Sequence, residues 1–519
     1  MGTRQGRGCN MIRDDTPILI GVGQVTVRDE PLDALSTPMD LMIAATIQAA
    51  DDAGVQRRTL ASLDAVVVVK SFREPMRNSP ATLARHLGAT RAEAWLTPDG
   101  GQAPQALANR FAAEIAAGRK RFVLLAGAEA MDNARRLIKS GSKPDWKQPA
   151  DRDADLLWPD RPMVTAHERA HGIWAATSNY ALLENAYRHH AGHGIAEHQM
   201  AMGRLFAGFT DVAARSPHAW FPVSRTAEEI ATPGPGNRFV AWPYTKFMNA
   251  MNQINQSAAL LMTSVGEAKR LGVPRDRWLF LHGCADTTEL WYMHERQNYH
   301  SSPAMRLMAE RAFAMAGRGL NDIDLVDIYS CFPSAVQIGR DALGIAADDP
   351  RPLTVTGGLP YHGGAGNNYS MNAIASMADR LRATPGRFGL VTANGGYISK
   401  HAAGIWSTEP VSSDRQWQRE DPASYQPRID DLPRPPFTET PSGEGEIETW
   451  TVLFGRDGNP AGAVIIGRLG AHDDPTATRF IANAPDDPDL LLSMTERDLV
   501  GAAGRIGQGT DGRNLFRVS

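Results

Sequence analysis

Cysteine is scarce in this chain: Cys9, Cys284 and Cys331 are the only three in 519 residues. So few exclude a disulfide framework and suit a reducing compartment, so a cytoplasmic location is expected. Long apolar runs are missing as well, and no stretch reaches the roughly 20 residues that a membrane span needs. Charge of one sign is also lacking. The 54 Lys and Arg against 58 Asp and Glu leave a net charge of −4, with no long basic run. That argues against a general electrostatic footprint for nucleic acid. Met1 to Asp15 is polar and Arg-rich without an apolar core, so it is no secretory leader, and residues 1–14 are expected to be disordered. What remains is an ordinary globular composition, 42% hydrophobic and 22% charged, with length for about two to four domains.

Thr16 to Val22 reads as an apolar strand entering a glycine turn at Gly21 and Gly23. A helix is expected from Pro38 to Ala53, with Gly54 just past its end. Leu63 to Val69 is a continuous apolar run, the pattern of a strand buried on both faces. Trp95 to Gln102 is extended and ends in Gly100-Gly101, ahead of an Ala-rich helix from Ala103 to Ala117 and a strand from Arg121 to Glu129. Residues 131–241 lose the alternation and read as an insertion over the functional face, with helices at about 176–189 and 196–214. His189, His190, His193 and His198 cluster there without carboxylate or Cys partners at metal spacing. A solvated helix end is therefore expected, and no metal site.

Tyr244 to Ser257 carries Lys246 and several amides, and leads to a buried strand at 258–265. A further strand, Trp278 to Leu281, precedes Gly283-Cys284-Ala285. From there the order repeats. Ser302 to Gly317 is a helix like the first, and Asp324 to Ile328 leads as a short buried strand into Tyr329-Ser330-Cys331-Phe332 before Pro333 and another helix. Thr354 to Leu359 holds a Gly-Gly turn like that at 100–101, a helix follows at about 370–381, and Arg387 to Gly395 matches the earlier strand from Arg121. Polar residues at the carboxyl end of a buried strand, just before a helix, are where α/β proteins usually bind ligands. Read alone, Cys331 is a small core residue. Residues 412–442, rich in Pro, Asp, Arg and Ser, read as a surface linker. Residues 443–519 alternate as strands around an Asp457-Gly458 turn and suggest a small β domain that folds as its own unit. Trp450, Phe454 and Phe480 lie among only scattered Arg, so they read as core, not as a stacking stripe for a nucleic-acid strand.

Three runs carry a resemblance: Ala126-Gly127-Ala128-Glu129-Ala130-Met131, Asn255-Gln256-Ser257-Ala258-Ala259 and Tyr329-Ser330-Cys331-Phe332. With the doubled plan they resemble the thiolase superfamily, nearest its sterol-carrier-protein-type branch and the bacterial thiolase-like proteins with an extra C-terminal domain. The resemblance covers about residues 16–410, and residues 443–519 resemble the extra domain. It implies an α/β protein with a duplicated thiolase fold: two βαβαββ-type halves, 15–290 and 291–411, layered α/β/α/β/α. The insertion belongs to the first half, and a small OB-like β-barrel closes the chain. Family chemistry uses a thiolate nucleophile, a His base, a second Cys and an oxyanion hole. Here the nucleophile turn matches Gly100-Gly101-Gln102-Ala103, the base Gly364, and the second Cys Ala393. The oxyanion-hole His matches Tyr329, near Asn394. Cys331 is retained, and His362 lies two residues before the vacated base position. The Ser-Gly pair that faces pantetheine in the family matches Asn252-Gln253; Tyr244 and Lys246 share that loop, with Lys246 a candidate for a CoA phosphate.

The resemblance thus implies a protein that binds coenzyme A or an acyl-CoA as ligand, with no cofactor, and that has lost the family reaction. Two alternatives stay open. One is an acetyl-CoA acetyltransferase-like acyltransferase of lipid metabolism that uses Cys331 or His362. The other is an interaction or scaffold protein acting through the C-terminal β domain. Homodimers are the family default, but Glu93, Pro98 and Asp99 on the subunit-pairing stretch discourage edge pairing, which makes a monomer credible.

Overall fold

A computed structural model of the chain describes residues 12–72, 77–148, 150–414, 416–510 and 512–519. Cys9 and most of the stretch expected to be disordered lie outside them. The first strand, β1 (Pro17–Thr26), runs through Gly21 and Gly23 without turning, contrary to the sequence expectation. The reason is packing. A Cβ on Gly21 would stand 2.1 Å from the Ala49 carbonyl oxygen, so glycine lets the helix Pro38–Asp52 lie directly on the strand.

β2 (Ala65–Val69), β3 (Glu93–Leu96) and β4 (Phe122–Ala130) follow. The insertion adds short strands β5 (Asp155–Leu156) and β6 (Phe239–Ala241), β7 (Tyr244–Thr245) follows just beyond it, and β8 (Asn255–Ser264) completes the first motif. The second motif is β9 (Leu279–Thr288), β10 (Leu325–Asp327), β11 (Phe388–Gly395) and β12 (Lys400–Ser407). The duplication is explicit in the pairing. β2 lies parallel to β4, β4 antiparallel to β8, and β8 antiparallel to β1. β10, β11, β12 and β9 repeat that series in the same senses. β9 is thus the counterpart of β1, although it lies inside the range read as the first half. It continues through Gly283 to Thr288, where the sequence reading stopped it at Leu281. A Cβ on Gly283 would stand 2.1 Å from the Ala312 carbonyl oxygen of the helix Pro303–Ala316, the same device as at Gly21. β1 and β9 join antiparallel through Ile18–Phe280 and Leu19–Leu279, linking the motifs in one ten-stranded sheet.

The helices Ala103–Ala116 and Tyr369–Ala383 pack on each other and on strands of both motifs, forming the shared layer. Pro38–Asp52 covers the outer face of one motif and Pro303–Ala316 the outer face of the other, which is the expected α/β/α/β/α order. β2 serves two cores, with Val67 and Val69 on the shared side and Val66 and Val68 on the outer side. The insertion is not a loose lid. Its helices Ala176–His190 and Ile195–Ala213 bury Tyr180, Leu183, Phe206 and Phe209 in the central core. His198 is likewise buried and meets Glu184 at 2.6 Å, so that end of the cluster is not solvated; the carboxylate comes from the neighbouring helix. Among the described residues no group of three or more His, Cys, Asp or Glu could hold a metal ion, and no helix is long and apolar enough to cross a membrane.

β13 (Gly443–Phe454), β14 (Pro460–Leu469), β15 (Thr478–Asn483), β16 (Ala503–Gln508) and β17 (Asn514–Val518) form the barrel. The order β13-β14-β15-β17-β16 closes back on β13, with β15 and β17 parallel and the helix Pro488–Ser493 between β15 and β16. This is the expected OB-like topology. Trp450, Phe480 and Phe516 fill its core, and Trp242, just past the insertion, stacks on Trp450 at 5.3 Å. Val464, Ile466 and Ile481 belong instead to the core of the main body. The linker is anchored too: Trp417 donates from Nε1 to the Leu281 carbonyl at 2.6 Å and Tyr425 from its hydroxyl to that of Asp286 at 2.9 Å.

Candidate functional site

Three turns meet at one cavity: Gly100-Gly101 before the helix Ala103–Ala116, Tyr329 to Phe332 after β10, and Asn394 to Tyr397 at the end of β11. Asn249 to Asn252 and the start of the helix Ala176–His190 close it, leaving about 500 Å³. Each segment follows from local chemistry. Pro333 ends extended structure and opens a helix, so the chain breaks at Tyr329 to Phe332. Gly100 has φ 155°, a conformation that side chains rarely adopt, so the nucleophile turn is built for glycine.

Gly100 is also filled from outside. A Cβ there would stand 2.1 Å from Gln102 Oε1 and 2.8 Å from Lys400 Nζ. The same Gln102 oxygen would stand 2.0 Å from a Cβ on Gly395. Lys400 donates to the Asp99 carbonyl, and Asn367 Oδ1 accepts from Gly100 N at 2.9 Å. The space a nucleophile would use is therefore taken by an amide and an ammonium. The Tyr329 hydroxyl overlies the next residue, 2.3 Å from where a Gly101 Cβ would sit. Burial, and then Cys331, raise that hydroxyl well above its ordinary value, so it stays a neutral donor.

Cys331 lines the cavity, but burial pushes its thiol up to about 12, with the Tyr180 hydroxyl the largest opposing influence. At pH 7 such a group is thiolate in only about one molecule in 10⁵. Asn394 donates from Nδ2 to the Tyr180 hydroxyl at 2.8 Å, which itself donates to the Gly396 carbonyl at 3.0 Å. Asn394 Oδ1 is buried with no partner among the described residues. The structure thus brings Gly100, Tyr329, Cys331, Asn394 and Asn252 to one cavity.

The other candidates lie elsewhere. His362 is fully buried behind the cavity, edge-on to Tyr369 at 5.9 Å, and burial lowers it to about 3. Its carbonyl is held by Gln256 Nε2 and Trp220 N, both at 2.7 Å. A ring that neither faces the cavity nor binds a proton near neutrality does not suit a general base. Gly364 faces Asn252 instead: a Cβ there would meet Asn252 Oδ1 at 2.8 Å. Ala393, in β11, is buried. Tyr244 does not reach the cavity either. Its hydroxyl bonds Glu184 at 2.7 Å and Ser334 at 2.7 Å, and its ring stacks on Phe332 at 5.3 Å, so it supports the wall from behind. Lys246 and Gln253 are exposed outside the lining. Sequence reasoning missed Gln102, Tyr180, Asn367 and Lys400. Gln102 alone carried a signal, a long side chain where the family turn has small ones; the rest come from distant segments.

Two matching halves around a shared helical layer, a cavity at the nucleophile turn and an OB-like barrel define a thiolase-fold protein with an added C-terminal domain. Residues 424–512 match the family model of the thiolase-like protein type 1 additional C-terminal domain. The crystal structure of a monomeric SCP2-thiolase-like protein type 1 from Mycobacterium smegmatis is similar with a TM-score of 0.84 and 38% identity, covering 98% of this chain and 100% of that one. The chain belongs to this family, the SCP2-thiolase-like proteins type 1. The dimeric peroxisomal thiolase of Saccharomyces cerevisiae shares the fold, with a TM-score of 0.55 at 13% identity, over 76% of this chain and 98% of that one. An acetyl-CoA acetyltransferase of Methanocaldococcus jannaschii is 21% identical over 314 residues, 59% of this chain and 70% of that protein.

Proposed function

We propose that the protein binds coenzyme A or an acyl-CoA in the Gly100 cavity and carries out neither thiolysis nor Claisen condensation. The observation that carries this reading is the occupied nucleophile position, where Gln102 and Lys400 close on a glycine in a strained turn. The thiol in the lining, Cys331, is held protonated, and neither buried imidazole of the neighbouring segments, His362 or His401, is in the lining. What the site retains suits binding: the N-terminus of the helix Ala103–Ala116 with its positive end, and the Tyr329 hydroxyl and Asn394 amide beside it. Asn252 at the rim is the polar contact for pantetheine.

Calorimetric titration with CoA and acetyl-CoA tests binding, beside an acetoacetyl-CoA thiolysis assay. Micromolar binding without turnover is expected, and Asn252→Leu weakens it about fivefold, as loss of one neutral hydrogen bond would. No heat of binding would remove the ligand from the proposal. Turnover that disappears in Cys331→Ala would replace it with acyltransfer by an atypical residue.

A further inference from the structure

Beyond Gln102 and Lys400, on the side away from Gly100, lies a separate cleft of about 560 Å³. That volume lies within the range of small-molecule sites. Four distant segments build it: the helix Ala103–Ala116, insertion residues 158–161, the adjoining ends of β9 and β12, and linker residues 419–426. Trp291 and Trp158 are the aromatic parts of its wall; Trp291 is 9% exposed, with Nε1 donating to the Pro162 carbonyl at 2.8 Å. Cations flank that ring. The Arg161 guanidinium lies 4.5 Å from its centre, and 5.2 Å from that of Tyr292, while Lys400 Nζ lies 5.6 Å from Trp291. Arg110 joins them from the exposed side of its helix. Of the two carboxylates in the lining, Asp286 is taken by Arg419. Within the lining that leaves Asp160 against Arg110, Arg161 and Lys400, with Asp99 beside Lys400 and Glu114 beside Arg110 just outside it. Gln102, only 7% exposed, also lines the cleft, with its Oε1 turned to Gly100 and Gly395 on the other side of the wall.

We propose that this cleft binds a small carboxylate on a flat apolar or aromatic body. The cations attract the carboxylate, guanidinium groups pair with it in two-point geometry, and the indole faces stack a flat body. Pro98, Ala106, Trp158 and Pro422 supply the apolar surface for the body. The site does not depend on CoA binding, because the Gly100 cavity lies across the Gln102 and Lys400 wall.

The probe is 2-naphthoate, titrated calorimetrically into the full chain, with 2-naphthamide as its uncharged match. Naphthoate is expected to bind at least about tenfold more tightly than the amide, the difference one charge-assisted contact makes. Arg161→Gln and Arg110→Gln, both at exposed positions, are each expected to weaken naphthoate about five- to tenfold while circular dichroism stays unchanged. Equal affinity for acid and amide, unchanged affinity in both variants, or no naphthoate binding at about 5 mM overturns the proposal.

Discussion

Gly100 and Gln102 fill the turn at the cavity together. A Cβ at position 100 must both adopt φ 155° and displace the Gln102 amide. Gly100→Cys is therefore expected to destabilise the fold by about 1–3 kcal/mol, the cost of a side chain in a sparsely populated backbone region plus a close contact. Adding Gln102→Ala should return the contact part and leave the backbone part. Urea unfolding of the three proteins measures this; a double variant no more stable than the single one would show that Gln102 is not the obstacle. Neither variant should gain thiolysis, because among the described residues no imidazole lines the cavity. Cys331 gives a second test at this scale. Its raised thiol should react with iodoacetamide at least about 100-fold more slowly than an unfolded thiol near pH 8, where the thiolate is the nucleophile.

At the scale of elements, two short pieces of the insertion act on strand edges. β5 pairs with the outer edge of β3 through Trp95–Asp155 and Leu96–Leu156, so the edge available for pairing between subunits is already used. Light scattering is expected to show a monomer, and deletion of residues 154–157 to raise its mass; a dimer of the intact chain would remove this role for β5. β6 does the same for the barrel, pairing Ala241 with Leu453 while Trp242 covers Trp450. Together with Val464, Ile466 and Ile481 in the main-body core, this leaves residues 443–519 a large apolar face if cut out. The isolated fragment, which local strand and turn signals suggest folds alone, is expected to aggregate or remain partly unfolded by NMR. In the full chain Trp450→Ala should cost about 3–5 kcal/mol in urea unfolding, as loss of a large core aromatic does. A soluble fragment with a dispersed β-type spectrum would show that the docking is dispensable.

For the whole molecule the buried titratable groups set the response to pH. Burial lowers His362 and His401 to about 3 and His282 and His300 to about 4, all below the ordinary 6.5. The unfolded chain therefore takes up protons that the folded chain refuses. Their stabilising contribution is complete above about pH 6.5 and is lost as pH falls, by up to about 1.4 kcal/mol per pH unit for each ring. Asp327 and Asp286, raised by burial to about 7 and about 6, act with the opposite sign. Their contribution is full below about pH 4 and is lost as pH rises through those values. Four rings against two carboxyls predict falling stability on acidification from about pH 6.5. His401→Leu should flatten that slope and Asp327→Asn should steepen it, measured by urea unfolding near pH 5, 6 and 7. Slopes identical to the parent in both variants would assign the acid response elsewhere.

The doubled α/β plan and the barrel were legible in the sequence because they rest on local signals. Continuous β-branched runs, Ala-rich helical spacing, Gly-Gly turns and the order of strands around them need only neighbouring residues to be read. The residues of the Tyr329 to Phe332 turn were legible for the same reason, since Pro333 ends the strand and leaves them at its mouth. Glycine was ambiguous, because absence of a Cβ serves both a turn and a close helix–strand approach, and only the position of Ala49 chooses for Gly21. Which side chains reach the cavity was decided in three dimensions. Tyr244 and His362 carry the right chemistry within matching segments, yet packing turns one towards Glu184 and buries the other beside Tyr369. Gln102, Tyr180, Asn367 and Lys400 come together from separate segments of the chain, and the cleft at Trp291 joins four such segments. The sequence by itself determined the elements and their duplication. Tertiary packing decided which remaining groups meet, because contacts between distant segments depend on how helices and sheets stack, and that leaves no periodicity to read.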